Sequence, residues 1–237
     1  MLRRALALLL GLMLLFGVSL AEDLPRSRFR GHVPPPDVPE GERVDESYFD
    51  DAVFIGDSIM ASLELHGMFP DSHYAAAVGI GPQNAMGQVY DTNTGKKNLQ
   101  QVLEPLAYTK LYVLLGANTL DTSESGAAAQ RYAAFLAQLV AGYPDKLIYV
   151  ISIPPRTHHP QSTRPASSQR HVVSFNQAAR ELCQAHGIYY LDVFTAMMGP
   201  DGQPDSSLLA GDGFHLSRKG SHLVQEHLMT HTVRETP

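Results

Sequence analysis

What most constrains this chain is an alternation that begins at Asp50. Short β-rich runs occur at Ala52–Gly56, Tyr74–Gly79, Lys110–Gly116, Leu147–Pro154 and Ile188–Phe194, with helical patterns between them. The third and fourth, Leu-Tyr-Val-Leu-Leu and Leu-Ile-Tyr-Val-Ile-Ser-Ile, are almost continuously apolar, as strands covered on both faces must be. From about Ser125 to Ala141, Tyr132, Phe135, Leu136, Leu139 and Val140 share one helical face, and Gly142 and Pro144 close the segment. A second helix runs from about Ser168 to His186, with Val172, Phe175, Ala179 and Leu182 on one face and Gly187 as its stop. A last one starts after Ser217 and buries Leu223, Val224 and Leu228. Alternation of this kind predicts an α/β fold with a parallel sheet and helices on both sides. In such sheets ligands bind beyond the carboxyl ends of the strands, so Ser58, Gly79, Asn118 and the loop from Pro154 are the positions to read for chemistry.

Upstream of the alternation the composition changes twice. Arg3 and Arg4 precede an apolar run from Ala5 to Val18, and Ser19-Leu20-Ala21 puts small residues where signal peptidases read. Residues 1–21 are therefore expected to be a signal peptide cleaved after Ala21; the run falls short of the ~20 residues of a comfortable membrane span. No cysteine lies there to carry a lipid, and no stable membrane insertion is expected after cleavage. Residues 22–47 are rich in Pro and charge (Pro25, Pro34, Pro35, Pro36, Pro39) and read as an arm or linker, which leaves 48–237 as the folded domain. Cleavage would leave 16 basic against 24 acidic residues, and no basic block is long enough to track a phosphate backbone, so nucleic acid is not an expected partner. The one cysteine, Cys183, follows Leu182 on an apolar helix face, which fits a core position and provides neither a disulfide nor a thiol-based zinc site.

Four short blocks carry chemistry. After the first strand, Gly56-Asp57-Ser58 leads into a helix over Ile59–His66; Gly56 permits a tight turn, and Ser58 has its hydroxyl at the sheet edge and its N–H pointing into the same space. Read alone, Gly56-Asp57-Ser58 favours a plain helix cap, because such turns are common. After the second strand, Gly79 in Val78-Gly79-Ile80-Gly81 can present a bare N–H or simply make a turn. A dinucleotide fingerprint does not fit there, because Asn84 occupies the third glycine's place and Pro82 breaks the helix opening. After the third strand, Asn118 in Gly116-Ala117-Asn118 ends a buried run and its amide can donate to an oxyanion. Near the end, Asp212-Gly213-Phe214-His215 puts a carboxylate three residues before an imidazole on one loop, the relation a serine nucleophile needs in its base. His66, His73, His186, His222, His227 and His231 read as ordinary surface or half-buried positions.

In this order and on these elements the four blocks resemble those of the SGNH (GDSL-type) hydrolases, over roughly Asp50 to His231. The resemblance implies a flavodoxin-like three-layer α/β/α sandwich with a five-stranded parallel sheet, and no cofactor or metal. It implies Ser58 as nucleophile, His215 as general acid and base, and Asp212 as the carboxylate that orients it. Ser58 N–H, Gly79 N–H and the Asn118 side chain would form the oxyanion hole. The chain departs from many members after the block-three Asn, where they carry Asp and it has Thr119, with Asp121 two residues on; the local network holding Asn118 is expected to differ.

The resemblance, with the signal peptide, points to an exported bacterial serine esterase, and by analogy to removal of small acyl groups from a carbohydrate or other extracytoplasmic substrate. An O-acyltransferase on the same triad and a non-catalytic carbohydrate-binding member of the fold are the alternatives; every triad member is present, which disfavours the second. Arg156, His158, His159, Arg164 and Arg170 follow the fourth strand on a loop expected to overhang the site, as a binder of an anionic or sugar substrate or as a solvated loop. Adjacent His158 and His159 have a poor spacing for two ligands of one metal. The polar stretch Gln83–Lys97 can form another wall, with Tyr90 and Asn93 as contacts.

Overall fold

A computed structural model describes residues 37–92, 95–120, 125–157 and 168–233, with the side chains of Ser125 and Ser168 excepted. The sheet contains β1 (Ala52–Gly56), β2 (His73–Ala76), β5 (Lys110–Leu114), β6 (Leu147–Ile151) and β7 (Tyr189–Leu191), all parallel, in the order β2-β1-β5-β6-β7. Between β2 and β5 the chain inserts an antiparallel ribbon, β3 (Val89–Thr92) with β4 (Gly95–Asn98). The helices are α1 (Ser58–Leu65), α2 (Leu99–Leu103), α3 (Ser125–Gly142), α4 (Ser168–His186), α5 (Val193–Ala196) and α6 (Arg218–Thr230). The expected three-layer α/β/α sandwich is therefore present. α3 and α4 pack together, with Tyr132 edge-on to Phe175 at 5.2 Å. On the other face α1 and α6 are joined by His66 Nδ1 to Ser221 Oγ (2.7 Å) and by Arg218 to the His66 carbonyl (3.0 Å).

Register is locked by side chains. Tyr74, Phe54, Tyr112, Tyr149 and Tyr189 are consecutive register partners across all five strands. Their rings stack neighbour on neighbour with centroids 4.6–5.1 Å apart. Aromatic pairs add roughly 0.5–1.5 kcal/mol each beyond the area they bury, and a slip of one residue would send the whole row to the opposite face. That face is aliphatic instead, with Val53, Ile55, Leu111, Val113, Ile148 and Val150 buried.

Several expected strands overran. β2 stops at Ala76, where Ala77 N–H turns to the Gly56 carbonyl (3.1 Å) and Gly79 takes a left-handed φ of 78°. β7 stops at Leu191 because Asp192 caps α5 through Thr195 N–H (3.1 Å). Gly56 has no positive φ; its constraint is closeness rather than a turn, since a Cβ there would lie 2.3 Å from the Leu114 carbonyl oxygen and 2.4 Å from Met60 Cβ. Cys183 is fully buried.

The expected signal peptide and the expected arm as far as residue 36 lie outside the described residues. From Asp37 the arm follows the β7 edge and the end of α6: Val38 N–H donates to Tyr190 O (3.0 Å), Gly41 N–H to Thr230 O (2.7 Å) and Val44 N–H to Met229 O (2.9 Å). It thus satisfies carbonyls that a helix end leaves open. Paired contacts of Arg180 with Asp37 and of Arg43 with Glu226 hold it there. Among the described residues no helix is long and apolar enough to cross a membrane.

Candidate active site

The loops after β1, β2 and β5 meet where the strand order reverses, the crevice at which open α/β sheets bind ligands. Ser58 opens α1 and is 8% exposed. Asp57 before it is the helix cap, its Oδ1 accepting from Ile59 N–H at 3.0 Å. The other oxygen accepts from Gly116 N–H (3.3 Å) and Ala117 N–H (3.2 Å), so one carboxylate staples the β1 turn to the β5 turn. Burial pushes the Asp57 carboxyl up to about 6, against the pull of those N–H bonds and of the Arg156 charge. The cap and a chemical role are therefore both satisfied by the same dipeptide, because capping employs Asp57 and leaves the Ser58 hydroxyl free to face elsewhere.

It faces His215. Ser58 Oγ lies 2.8 Å from His215 Nε2, and His215 Nδ1 lies 2.6 Å from Asp212 Oδ2. The second Asp212 oxygen accepts from the N–H groups of Phe214 and His215, both at 2.9 Å. Burial raises the Asp212 carboxyl, but the bonds from the His215 ring and from these N–H groups outweigh it and hold it below the usual carboxylate range. The turn that brings acid and imidazole together needs Gly213: its φ is 69°, and a Cβ would lie 2.5 Å from Thr157 Oγ1. Phe214 packs edge-on against the His215 ring, centroids 4.6 Å apart. Asp212 and His215 side chains remain 50% and 34% exposed, so the site opens to solvent.

Gly79 sits exposed on the loop after β2, and nothing lies within 4 Å of where its Cβ would be. That loop is tied to the next block by Asn118, whose Nδ2 donates to the Ile80 carbonyl at 2.9 Å. Thr119, next after Asn118, is buried and its Oγ1 donates to Gln83 Oε1 at 3.4 Å. Gly81 N–H donates to Asn84 Oδ1 (2.9 Å). The network around Asn118 runs from its amide to Ile80 and from the adjacent Thr119 through Gln83 to the β2 loop.

Two expected contacts are corrected. Tyr90 is fully buried, with its hydroxyl on the Ala85 carbonyl (2.7 Å), and cannot line a substrate wall; Asn93 lies outside the described residues. Arg156 is only 6% exposed, which removes it from an anion-binding loop. His158, His159, Arg164 and Asp121 lie outside the described residues, and Arg170 is exposed in the first turn of α4. Of the other histidines, His66 bonds Ser221 Oγ at 2.7 Å and the His227 and His231 rings stack at 3.8 Å. Among the described residues no group of three or more His, Cys, Asp or Glu could hold a metal. A cavity of about 460 Å³ lined by Met68, His73, Tyr74 and Leu106 lies at the opposite end of the sheet and includes none of Ser58, Gly79, Asn118, Asp212 and His215.

Residues 54–223 match the model of a family described as GDSL-like lipase/acylhydrolase. No curated protein matches the chain. Solved structures similar to it include a protein from Streptococcus pneumonia (21% identity, TM-score 0.63, covering 77% of this chain and 88% of that one). A GDSL-like lipase from Bacteroides thetaiotaomicron has 12% identity and a TM-score of 0.59, over 78% of this chain and 87% of that one. A lipase/acylhydrolase from Enterococcus faecalis has 17% identity and a TM-score of 0.58, over 75% and 92%. At these identities the structural likeness speaks for the fold, and the family match for the kind of chemistry.

Proposed function

The chain belongs to the GDSL-like lipase/acylhydrolase family, a family of ester hydrolases, and from that premise we propose that it is a serine esterase working through an acyl-enzyme on Ser58. The observation that carries this reading is the unbroken chain Ser58 Oγ–His215 Nε2–His215 Nδ1–Asp212 Oδ2, at 2.8 and 2.6 Å. With Nδ1–H donated to the carboxylate, Nε2 is left as the acceptor for the serine proton. Ser58 Oγ attacks the ester carbonyl while His215 takes that proton. The C–O bond to the leaving alcohol then breaks as His215 returns the proton to it. Water, activated by the same nitrogen, adds to the acyl-enzyme and releases the acid.

Charge on the tetrahedral oxygen is met by Ser58 N–H, Gly79 N–H and Asn118. The Asn118 amide nitrogen carries two hydrogens; one is committed to Ile80, which fixes the amide plane, and the second remains for the oxyanion. Asn118→Ala is expected to lower kcat by on the order of 10²–10³ with little change in KM, because the donor acts chiefly in the transition state. Steady-state kinetics on a nitrophenyl ester check this; a loss in KM alone would assign Asn118 to ground-state binding.

The substrate proposed is a small acyl ester on a carbohydrate or other extracytoplasmic molecule. The exposure of the Asp212 and His215 side chains beside a buried Ser58 supports a large substrate presenting a short acyl group. Arg3, Arg4, the apolar run Ala5–Val18 and Ser19-Leu20-Ala21 support export with cleavage after Ala21. A panel of nitrophenyl esters of increasing chain length and acetylated polysaccharides tests both parts. Short esters and acetate release from polysaccharide are the expected result. A preference for long acyl chains would overturn the substrate class, and acylated acceptor sugar in place of free acid would make the enzyme a transferase.

A further inference from the structure

The segment leaving β6 carries a buried cation, Arg156, that takes no part in the acyl transfer proposed for Ser58. A role for it rests on the assignments of Ser58, Asn118 and His215 in that reaction. The Arg156 main-chain N–H donates to Gln169 Oε1 (2.8 Å), and the Thr157 N–H donates to the Gly213 carbonyl (3.0 Å). Its backbone is thus pinned between α4 and the Asp212–His215 turn. Its Nη2 donates to the Ala117 carbonyl at 2.9 Å, and its guanidinium carbon lies 4.6 Å from the centre of the Phe214 ring.

Two of the guanidinium's partners, Ala117 and Phe214, each directly precede a residue of the site. Ala117 precedes Asn118. Phe214 precedes His215 and packs edge-on against its ring. The Ala117 residue also donates its N–H to Asp57, which precedes Ser58. Ala117 therefore has a carboxylate at its N–H and a guanidinium at its carbonyl, two charge-assisted bonds that fix the strand end from both sides.

We propose that Arg156 is a positioning residue for ester hydrolysis, its buried guanidinium holding the Ala117 carbonyl and the Phe214 ring so that Asn118 and His215 stay in register with Ser58. The guanidinium suits the task because its several N–H donors have fixed directions, so a bond to the Ala117 carbonyl also fixes where the group lies over the Phe214 ring; a lysine ammonium keeps the charge but sets no such geometry. Burial lowers the Arg156 pKa to about 10, with the Asp57 charge opposing the fall, so the side chain remains a cation at neutral pH. A cation retained against desolvation, with its contacts directed at two site turns, fits positioning better than simple packing.

The test compares wild type, Arg156→Met, Arg156→Lys and Ser58→Ala in full-length protein. The readouts are thermal unfolding, kcat and KM for nitrophenyl acetate, and the NMR signals of the His215 ring without substrate. Arg156→Met is expected to lower kcat about 10²-fold with KM within about threefold, as a misplacement of the reacting groups by an ångström does. Arg156→Lys should recover part of that, ending about tenfold below wild type, because it keeps the charge and loses the fork. The His215 signals should shift in both. A folded Arg156→Met with kcat within twofold of wild type overturns the proposal, as does a kcat loss with unmoved His215 signals. If Arg156→Met fails to fold, Arg156→Lys decides by the same measures. Wild type no more active than Ser58→Ala would instead sink the esterase reading, and the His215 signals would still decide the role of Arg156.

Discussion

Ser58→Ala is expected to lower ester hydrolysis by on the order of 10⁴–10⁶ in kcat and to leave the fold intact. The size follows from what the hydroxyl does: without it no acyl-enzyme forms, and the remaining oxyanion donors can only assist direct attack by water. Stability should change little, because the contact removed is the bond from Oγ to His215 Nε2, and a ring one-third exposed can take water in its place. The bond from Ser62 Oγ to the Ser58 carbonyl (3.0 Å) is to the main chain and survives. Kinetics on nitrophenyl acetate, with melting curves of both proteins, make the comparison. A folded Ser58→Ala protein that kept wild-type turnover would remove the mechanism.

Much of this arrangement can be read from the chain because its determinants are local. A buried parallel strand announces itself by an unbroken apolar run. The end of α4 follows from Gly187, and the start of α6 from Ser217, whose side chain caps Gly220 N–H at 3.1 Å. The four blocks stand at strand ends, where side-chain direction is set by a turn of a few residues. What escapes is whatever depends on register or on distant pairing. The β3–β4 ribbon is disguised by Lys96 and Lys97; only Tyr90 is buried, and a polar ribbon of four-residue strands has no apolar alternation to betray it. The aromatic row is visible only once the offsets between strands are known. Arg156 lies among basic residues and reads as part of a substrate-binding or solvated loop until Ala117 and Phe214 are brought to it from either side. The strand–helix grammar is local; which side chain meets which across the sheet is not.

Asp212→Asn should be as informative as loss of the nucleophile, with kcat falling on the order of 10⁴ in a protein of unchanged fold. The local geometry dictates the reason. Asp212 Oδ1 accepts two main-chain bonds, from Phe214 and His215 N–H, while Oδ2 faces His215 Nδ1. In the asparagine the carbonyl oxygen must keep the main-chain bonds, since an amide NH₂ cannot accept them. The NH₂ is thereby forced against His215 Nδ1, which must become the acceptor, and the ring proton moves to Nε2. An imidazole protonated at Nε2 donates toward Ser58 and cannot take its proton. Asp212→Ala lacks this enforced tautomer, so its ring can still reach the productive form; it should lose less than the asparagine variant if tautomer control dominates over orientation. Both variants can be compared by kcat on the same ester and by the NMR signals of the His215 ring nitrogens. An asparagine variant within tenfold of wild type would show that the carboxylate does not set the proton's place.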